Sequence, residues 1–236
     1  MSEARVVVHP DRAAFEAGAA ELIAARLAAL FADRERVSLM LSGGNTPRAV
    51  YNVLAVPPLA SRLPWERVDF YFGDERAVPR EDPESNYDMA RRALFDPLGA
   101  SPGQVFRMEA DDFDIEAAAE RYAALLPESI DLVLLGVGAD GHTASLFPGQ
   151  PALDETGRRV VVVRGPKPPV LRLTVTPPVL VEAGEIVVLA AGSDKAEAVQ
   201  RAVEGPWDPM ICPAQLARRG TFVLDRAGAA LLAPRP

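Results

Sequence analysis

Residues 131–142 read Asp131-Leu132-Val133-Leu134-Leu135-Gly136-Val137-Gly138-Ala139-Asp140-Gly141-His142. Leu132 to Leu135 is a continuous apolar run, not an alternating one, which marks a strand buried on both faces, as in a parallel sheet. The strand is expected over 131–137. It runs into a segment where Gly138 and Gly141 let the chain turn sharply and present a histidine at the strand's end.

The same arrangement recurs on either side. Apolar strands are expected at 37–41, 68–72 and 186–191, and they end in the polar or glycine-rich segments 42–46, 73–76 and 192–195. Helical spacing fills the intervals. Phe15, Ala19, Leu22, Ile23, Leu27 and Leu30 recur three and four apart, predicting a helix from Asp11 to about residue 31. Further helices are expected at 47–54, where Pro47 suits a first turn, at 85–95 behind a Ser85 cap, at 114–126, and from about 195 to 203. Short strands at 6–8, 159–163, 172–175 and 221–224 complete the pattern, with a Pro-rich loop (Pro166, Pro168, Pro169) between the second and third of these. Alternating strands and helices predict an α/β protein with a mostly parallel central sheet and helices on both faces. No repeat, low-complexity tract or linker divides the chain, so residues 1–236 are expected to form one domain.

In open α/β sheets, ligands bind beyond the carboxyl ends of the strands. The four strand-end segments are therefore expected to converge on one cleft. Ser42-Gly43-Gly44-Asn45-Thr46 opens a helix, so its free N–H groups suit an anion; its spacing fits neither a Walker loop nor a dinucleotide fingerprint, and a plain tight turn is the alternative. His142 is one of two histidines. A ring titrating near neutrality at a strand end is a natural general base, and Asp140 could hold its tautomer; an Asp-Gly turn with an incidental histidine is the other reading. His9, beside Pro10, is expected at the surface or in packing. Asp74, Glu75 and Arg76 form either a solvated charge run or part of the cleft. Lys195 is either solvated or a point charge for phosphate. Arg172, within a β-type run, needs a carboxylate or a phosphate if buried. Trp65, Trp207 and the one cysteine, Cys212, are read as packing residues.

Bulk properties narrow the partners. The chain is 49% hydrophobic and 25% charged, ordinary for a globular protein. Its net charge of −8, with no basic block, argues against nucleic-acid or anionic-membrane partners. Met1-Ser2-Glu3-Ala4-Arg5-Val6 is not a secretory leader, and no apolar window is long enough to span a bilayer, so the cytoplasm is expected. Two histidines and one cysteine support no transition-metal site. Nothing in the residues sets an oligomeric state.

Taken in order, Leu41-Ser42-Gly43-Gly44-Asn45-Thr46-Pro47, Phe72-Gly73-Asp74-Glu75-Arg76, Ser85-Asn86-Tyr87, Gly136 through Pro148, Arg172-Leu173-Thr174, Gly192-Ser193-Asp194-Lys195 and Pro213-Ala214-Gln215 resemble the 6-phosphogluconolactonase family. That family lies within the glucosamine-6-phosphate isomerase/deaminase superfamily. The resemblance spans nearly the whole chain. It implies a modified Rossmann-like fold and hydrolysis of 6-phospho-D-glucono-1,5-lactone to 6-phosphogluconate, the second step of the oxidative pentose phosphate pathway. By position it implies a phosphate site of Ser42, Gly43, Gly44, Asn45 and Thr46 with Arg172 and Lys195. It further implies His142 as the base that activates water, and Asp74 and Arg76 as residues that orient the sugar. The reaction needs a base near neutral pH and donors for an oxyanion, with no metal or organic cofactor. Deaminases of the superfamily read Ile-Ala-Phe-Asn-Glu after Asp-Gly-His. Here the segment is Thr143-Ala144-Ser145-Leu146-Phe147, with an aromatic in the glutamate's place, which disfavours proton transfer on an amino sugar. A non-catalytic sugar-phosphate sensor on the same fold would be marked by loss of His142 or Asp74, and both are present.

Overall fold

Apolar strands that bury both faces pair side by side, and here they do so in parallel. The computed structural model describes residues 4–100 and 104–234; residues 1–3, which begin the stretch assessed for a leader, lie outside it. Strands β1 (Arg5–His9), β2 (Val37–Leu41), β3 (Val68–Phe72), β5 (Leu132–Gly136), β8 (Glu185–Ala190) and β9 (Thr221–Asp225) form a six-stranded sheet in the order β1-β9-β8-β5-β2-β3. Every pairing in it is parallel. From β2 the chain moves outward to β3; from β5 it moves the opposite way, to β8 and β9. The border between β2 and β5 is therefore the point where strand order reverses, the usual ligand crevice of such sheets.

The expected helices are present with small shifts at their ends. Asp11 caps α1 (Arg12–Leu30), its carboxylate accepting from the Ala14 N–H at 2.9 Å. Phe15, Ala19, Ile23 and Leu27 make its buried stripe. Helix α1 packs on α2 (Asn45–Leu54) and against β1 and β9. Asp114 caps α5 (Ile115–Leu125) in the same manner. Helix α7 (Ala196–Glu204) follows a 3-10 turn at Ser193–Lys195. Helix α2 starts at Asn45, two residues before the expected Pro47, because Gly44 at φ +100° supplies the cap conformation there. Ser85 caps α3 (Asn86–Ala90), whose helical path passes through a π turn, Arg91–Phe95, into α4 (Asp96–Leu98) beyond the expected end. Helix α6 (Pro177–Glu182) was not expected; its Pro-Pro pair occupies the first turn, where proline is tolerated.

The larger correction concerns Asp74–Arg76. These three charged residues, read only as a polar segment at a strand end, are strand β4, and they pair antiparallel with β7 (Leu171–Val175), which pairs antiparallel with β6 (Val160–Arg164). This second, three-stranded sheet stands beside the parallel one, and Leu173 and Val175 join the same buried apolar cluster as Leu39 and Leu134. Trp65 packs as expected, stacked on Phe70. Trp207 does not: it is 45% exposed, with the Arg218 guanidinium 5.6 Å above its ring. Cys212 is buried with its Sγ toward Gly141.

Candidate active site

A cleft of about 420 Å³ opens at the β2/β5 border, within the size range of small-molecule sites. It is lined by the segment 42–47, by Gly136–Gly138 and His142, and by the end of β8 with Asp194-Lys195 beyond it. Asp74, Arg76 and Arg172 join from the second sheet. The four strand ends thus meet as expected. Asp140 does not line the cleft itself and stands behind His142.

The 42–46 loop is shaped from below. Ser42 N–H donates to the Tyr51 hydroxyl at 3.0 Å, and that hydroxyl donates to the Ser42 carbonyl at 2.9 Å, so one buried phenol fixes the loop's first residue. Burial pushes the Tyr51 phenol well above its ordinary value, keeping it a donor. Tyr122 clamps the N–H and carbonyl of Phe72 at the end of β3 in the same way. Neither tyrosine is legible as a site residue, because each acts on backbone groups. A Cβ on Gly43 would lie 1.9 Å from the Asn86 side-chain oxygen, so only glycine admits this close approach. Helix α2 begins here, and its first-turn N–H groups lack intrahelical acceptors, which leaves them for an anion.

His142 is held by its own turn. The Gly138 N–H donates to the His142 carbonyl at 2.9 Å, the Gly141 N–H donates to the Gly138 carbonyl at 2.9 Å, and Gly141 sits at φ +93°. A Cβ on Gly138 would fall 2.0 Å from His142 Nδ1, so that glycine provides the ring's seat. Nδ1 lies 2.5 Å from Asp140 Oδ1, which also accepts the His142 backbone N–H at 3.1 Å. A proton on Nδ1 shared with that carboxylate leaves Nε2 as the acceptor. Burial opposes the Asp140 carboxylate, but the His142 N–H and ring outweigh it and hold the carboxyl below its ordinary range. The imidazole packs on Phe147, ring centroids 4.7 Å apart.

The second sheet supplies charge. Arg172 pairs directly opposite Arg76 in the β4–β7 register, and both line the cleft. Like charges directly opposed destabilise a strand pair. Arg172 is buried, and its hydrogen-bond partners in the protein include no carboxylate. It donates to the carbonyls of Pro169 (3.0 Å) and Lys167 (3.3 Å) and to Ser145 Oγ (3.4 Å), with its guanidinium 5.4 Å from the Phe147 ring centre. Burial lowers its pKa from the ordinary value; Asp74 opposes this and Arg76 adds to it. Lys195, a quarter exposed, pairs with Asp194 at 3.1 Å. Arg12 also lines the cleft, paired with Glu16 at 2.7 Å; nothing in its spacing marked it.

Glu75 is not part of a solvated run. It is buried, and its carboxylate accepts from the backbone N–H groups of Arg76, Asn86 and Tyr87 and from the Ser85 hydroxyl at 2.7–3.0 Å. Burial pushes its carboxyl up, against those four donors. It fastens β4 to the start of α3. Glu75→Ala, which strands the donors, is expected to cost about 2 kcal/mol and lower Tm; an unchanged melt would show that the cap is dispensable. Among the described residues, no three His, Cys, Asp or Glu side chains are grouped to hold a metal, and no helix is long and apolar enough to cross a membrane.

Fold and site together define an open α/β-sheet protein with a cationic cleft at its switch point and one histidine–carboxylate pair on the rim. The chain belongs to the family of glucosamine-6-phosphate isomerases/6-phosphogluconolactonase, whose model matches residues 10–224. A 6-phosphogluconolactonase of Streptomyces coelicolor is 39% identical, over 97% of this chain and 94% of that protein. The structure of the 6-phosphogluconolactonase from Trypanosoma brucei superposes with a TM-score of 0.85 at 30% identity, over 99% of this chain and 100% of the other. A monomeric glucosamine-6-phosphate deaminase also superposes with a TM-score of 0.85, at 24% identity over 96% of this chain and 99% of the other, and shares the fold.

Proposed function

We propose that this chain hydrolyses 6-phospho-D-glucono-1,5-lactone to 6-phospho-D-gluconate, in the oxidative pentose phosphate pathway. The observation that carries the reading is the Asp140–His142 pair, with Nε2 as acceptor and Phe147 packed on the ring where the deaminases carry a second carboxylate. A single base beside an apolar wall suits activation of water; moving a proton between sugar carbons calls for a further carboxylate at that spot.

In this mechanism the 42–46 loop, Arg172 and Lys195 hold the phosphate, and Asp74 and Arg76 orient the sugar. His142 Nε2 takes a proton from water as its oxygen attacks the lactone carbonyl. The tetrahedral intermediate then breaks its bond to the ring oxygen, and the imidazolium returns the proton to that oxygen. Every atom is supplied by water, substrate and histidine. A cytoplasmic setting belongs to this reading, since a dianionic sugar phosphate is retained by membranes. The apolar cluster shared by both sheets supports treating residues 1–236 as one domain.

The test is hydrolysis of freshly generated lactone, with the spontaneous rate subtracted. Acceleration is expected, unchanged after extensive chelation, with glucosamine 6-phosphate left intact. Ammonia release from the amino sugar without effect on the lactone would overturn the reading. Activity lost to chelator and restored by a divalent ion would show a metal in the mechanism.

A further inference from the structure

Ser145 carries no role in the mechanism above and does not line the cleft, yet it is fully buried against two residues that do, Asp74 and Arg172. Its hydroxyl donates to Asp74 Oδ2 at 2.7 Å and accepts from Arg172 Nη1 at 3.4 Å. Its backbone N–H donates to Thr174 Oγ1 at 3.2 Å. A serine hydroxyl has one proton to give and two lone pairs to accept with, so this one can serve both charged groups at once. The geometry behind it is that of the second sheet. In the β4–β7 register Asp74 lies opposite Thr174, and Arg76 lies opposite Arg172. Side chains two apart on a strand share a face, so Asp74, Arg76, Arg172 and Thr174 all stand on one face. Asp74 and Arg172 are diagonal neighbours there, within reach for long side chains.

The preceding residue shows that the contact is imposed. Ala144 has φ +48°, the one positive value for a non-glycine residue among those described. Such a conformation persists where the surroundings over-determine it, and it clusters at functional sites. Thr143 anchors the turn before it, donating to the Gly136 carbonyl at 2.9 Å, and the Leu146 N–H closes it by donating to the Thr143 carbonyl at 3.0 Å. The chain adopts an unfavourable backbone at 144 and so delivers the 145 hydroxyl between two opposite charges.

We infer that Ser145 is a positioning residue that holds the Asp74 carboxylate and the Arg172 guanidinium apart and oriented, so that each faces the ligand and they do not pair with each other. This rests on the sugar-phosphate reading of the cleft. Without the hydroxyl, only the Asn86 amide on Asp74 (3.2 Å) and the Pro169 and Lys167 carbonyls on Arg172 hold the diagonal pair back from a direct ion pair. Where that pair closes, Arg172 turns from the phosphate and Asp74 from the sugar.

The experiment is a pair of double-mutant cycles. Ser145→Ala is expected to raise KM for the phosphorylated lactone about 10-fold and lower kcat about 10-fold, the scale of one hydrogen bond to a charged group. In an Arg172→Lys background, which keeps the charge but loses the fork, the KM effect should vanish. In an Asp74→Ala background the kcat effect should vanish. The same Ser145 penalty in all backgrounds would mean a purely structural role and overturn the inference. Ser145→Cys, similar in volume but a weak donor, replaces the alanine variant if that one does not fold, with the same pattern expected. Calorimetric binding of inorganic phosphate reads the Arg172 arm without turnover: Ser145→Ala should weaken it about 10-fold in the parent and leave it unchanged in Arg172→Lys. A parent protein inactive on the lactone but showing that phosphate coupling would sink the lactonase reading and keep this one. Phosphate affinity indifferent to Ser145 in the parent would sink the positioning role.

Discussion

His142→Ala is expected to lower kcat for the lactone by ~10²–10⁴-fold, the usual range for a lost general base, while leaving the fold and the affinity for 6-phosphogluconate in place. The ring sits in a seat made by Gly138 and is 30% exposed, so its removal opens no sealed cavity. The 42–46 loop and Lys195 belong to other strand ends and keep their own supports. Asp140 loses a partner but stays wet, since it is 44% exposed. Steady-state kinetics, with calorimetry on the product, check both halves. Near-parental kcat in the variant would assign the base elsewhere.

Lys195→Ala separates binding from chemistry. A charge-assisted contact of ~1.5–3 kcal/mol corresponds to a roughly 10–150-fold loss in kcat/KM on the phosphorylated lactone, chiefly through KM. Unphosphorylated gluconolactone has no dianion to lose and should be hydrolysed almost as before. The cause is electrostatic: a chain of net charge −8 needs focused positive charge to hold a dianion. The same substitution also releases Asp194, now 3.1 Å from the ammonium, adding repulsion of the phosphate. Equal losses on both substrates would mean that Lys195 supports the fold or the chemical step.

The sequence made the parallel sheet readable for a physical reason. A strand buried on both faces is apolar along most of its length, so Val37–Leu41 and Leu132–Gly136 stand out without any periodicity. Abrupt changes from those runs to glycine and charge mark the strand ends, and hence the cleft. The second sheet was hidden because β4 is three charged residues whose strand character comes from pairing with β7, about a hundred positions later. Its middle residue, Glu75, is satisfied by donors ten to twelve positions on, so no local pattern separates a buried cap from a surface charge. Tyr51 and Tyr122 read as ordinary core aromatics, since the backbone groups they clamp leave no trace in residue identity. Arg172 could be placed in a strand, but its carbonyl partners on the 167–169 loop could not be foreseen.

The opposed Arg76 and Arg172 carry a consequence for the folded state as a whole. Two guanidinium groups held across one strand pair repel, and under the proposed function a dianion seated between loop and sheet would turn that repulsion into attraction. Anything that binds the folded chain and not the unfolded one shifts the folding equilibrium toward the native state, by about 2.7 kcal/mol at a hundredfold excess over Kd. Under the proposed phosphate seat, inorganic phosphate and sugar phosphates would stabilise the folded chain, and its Tm should rise with their concentration.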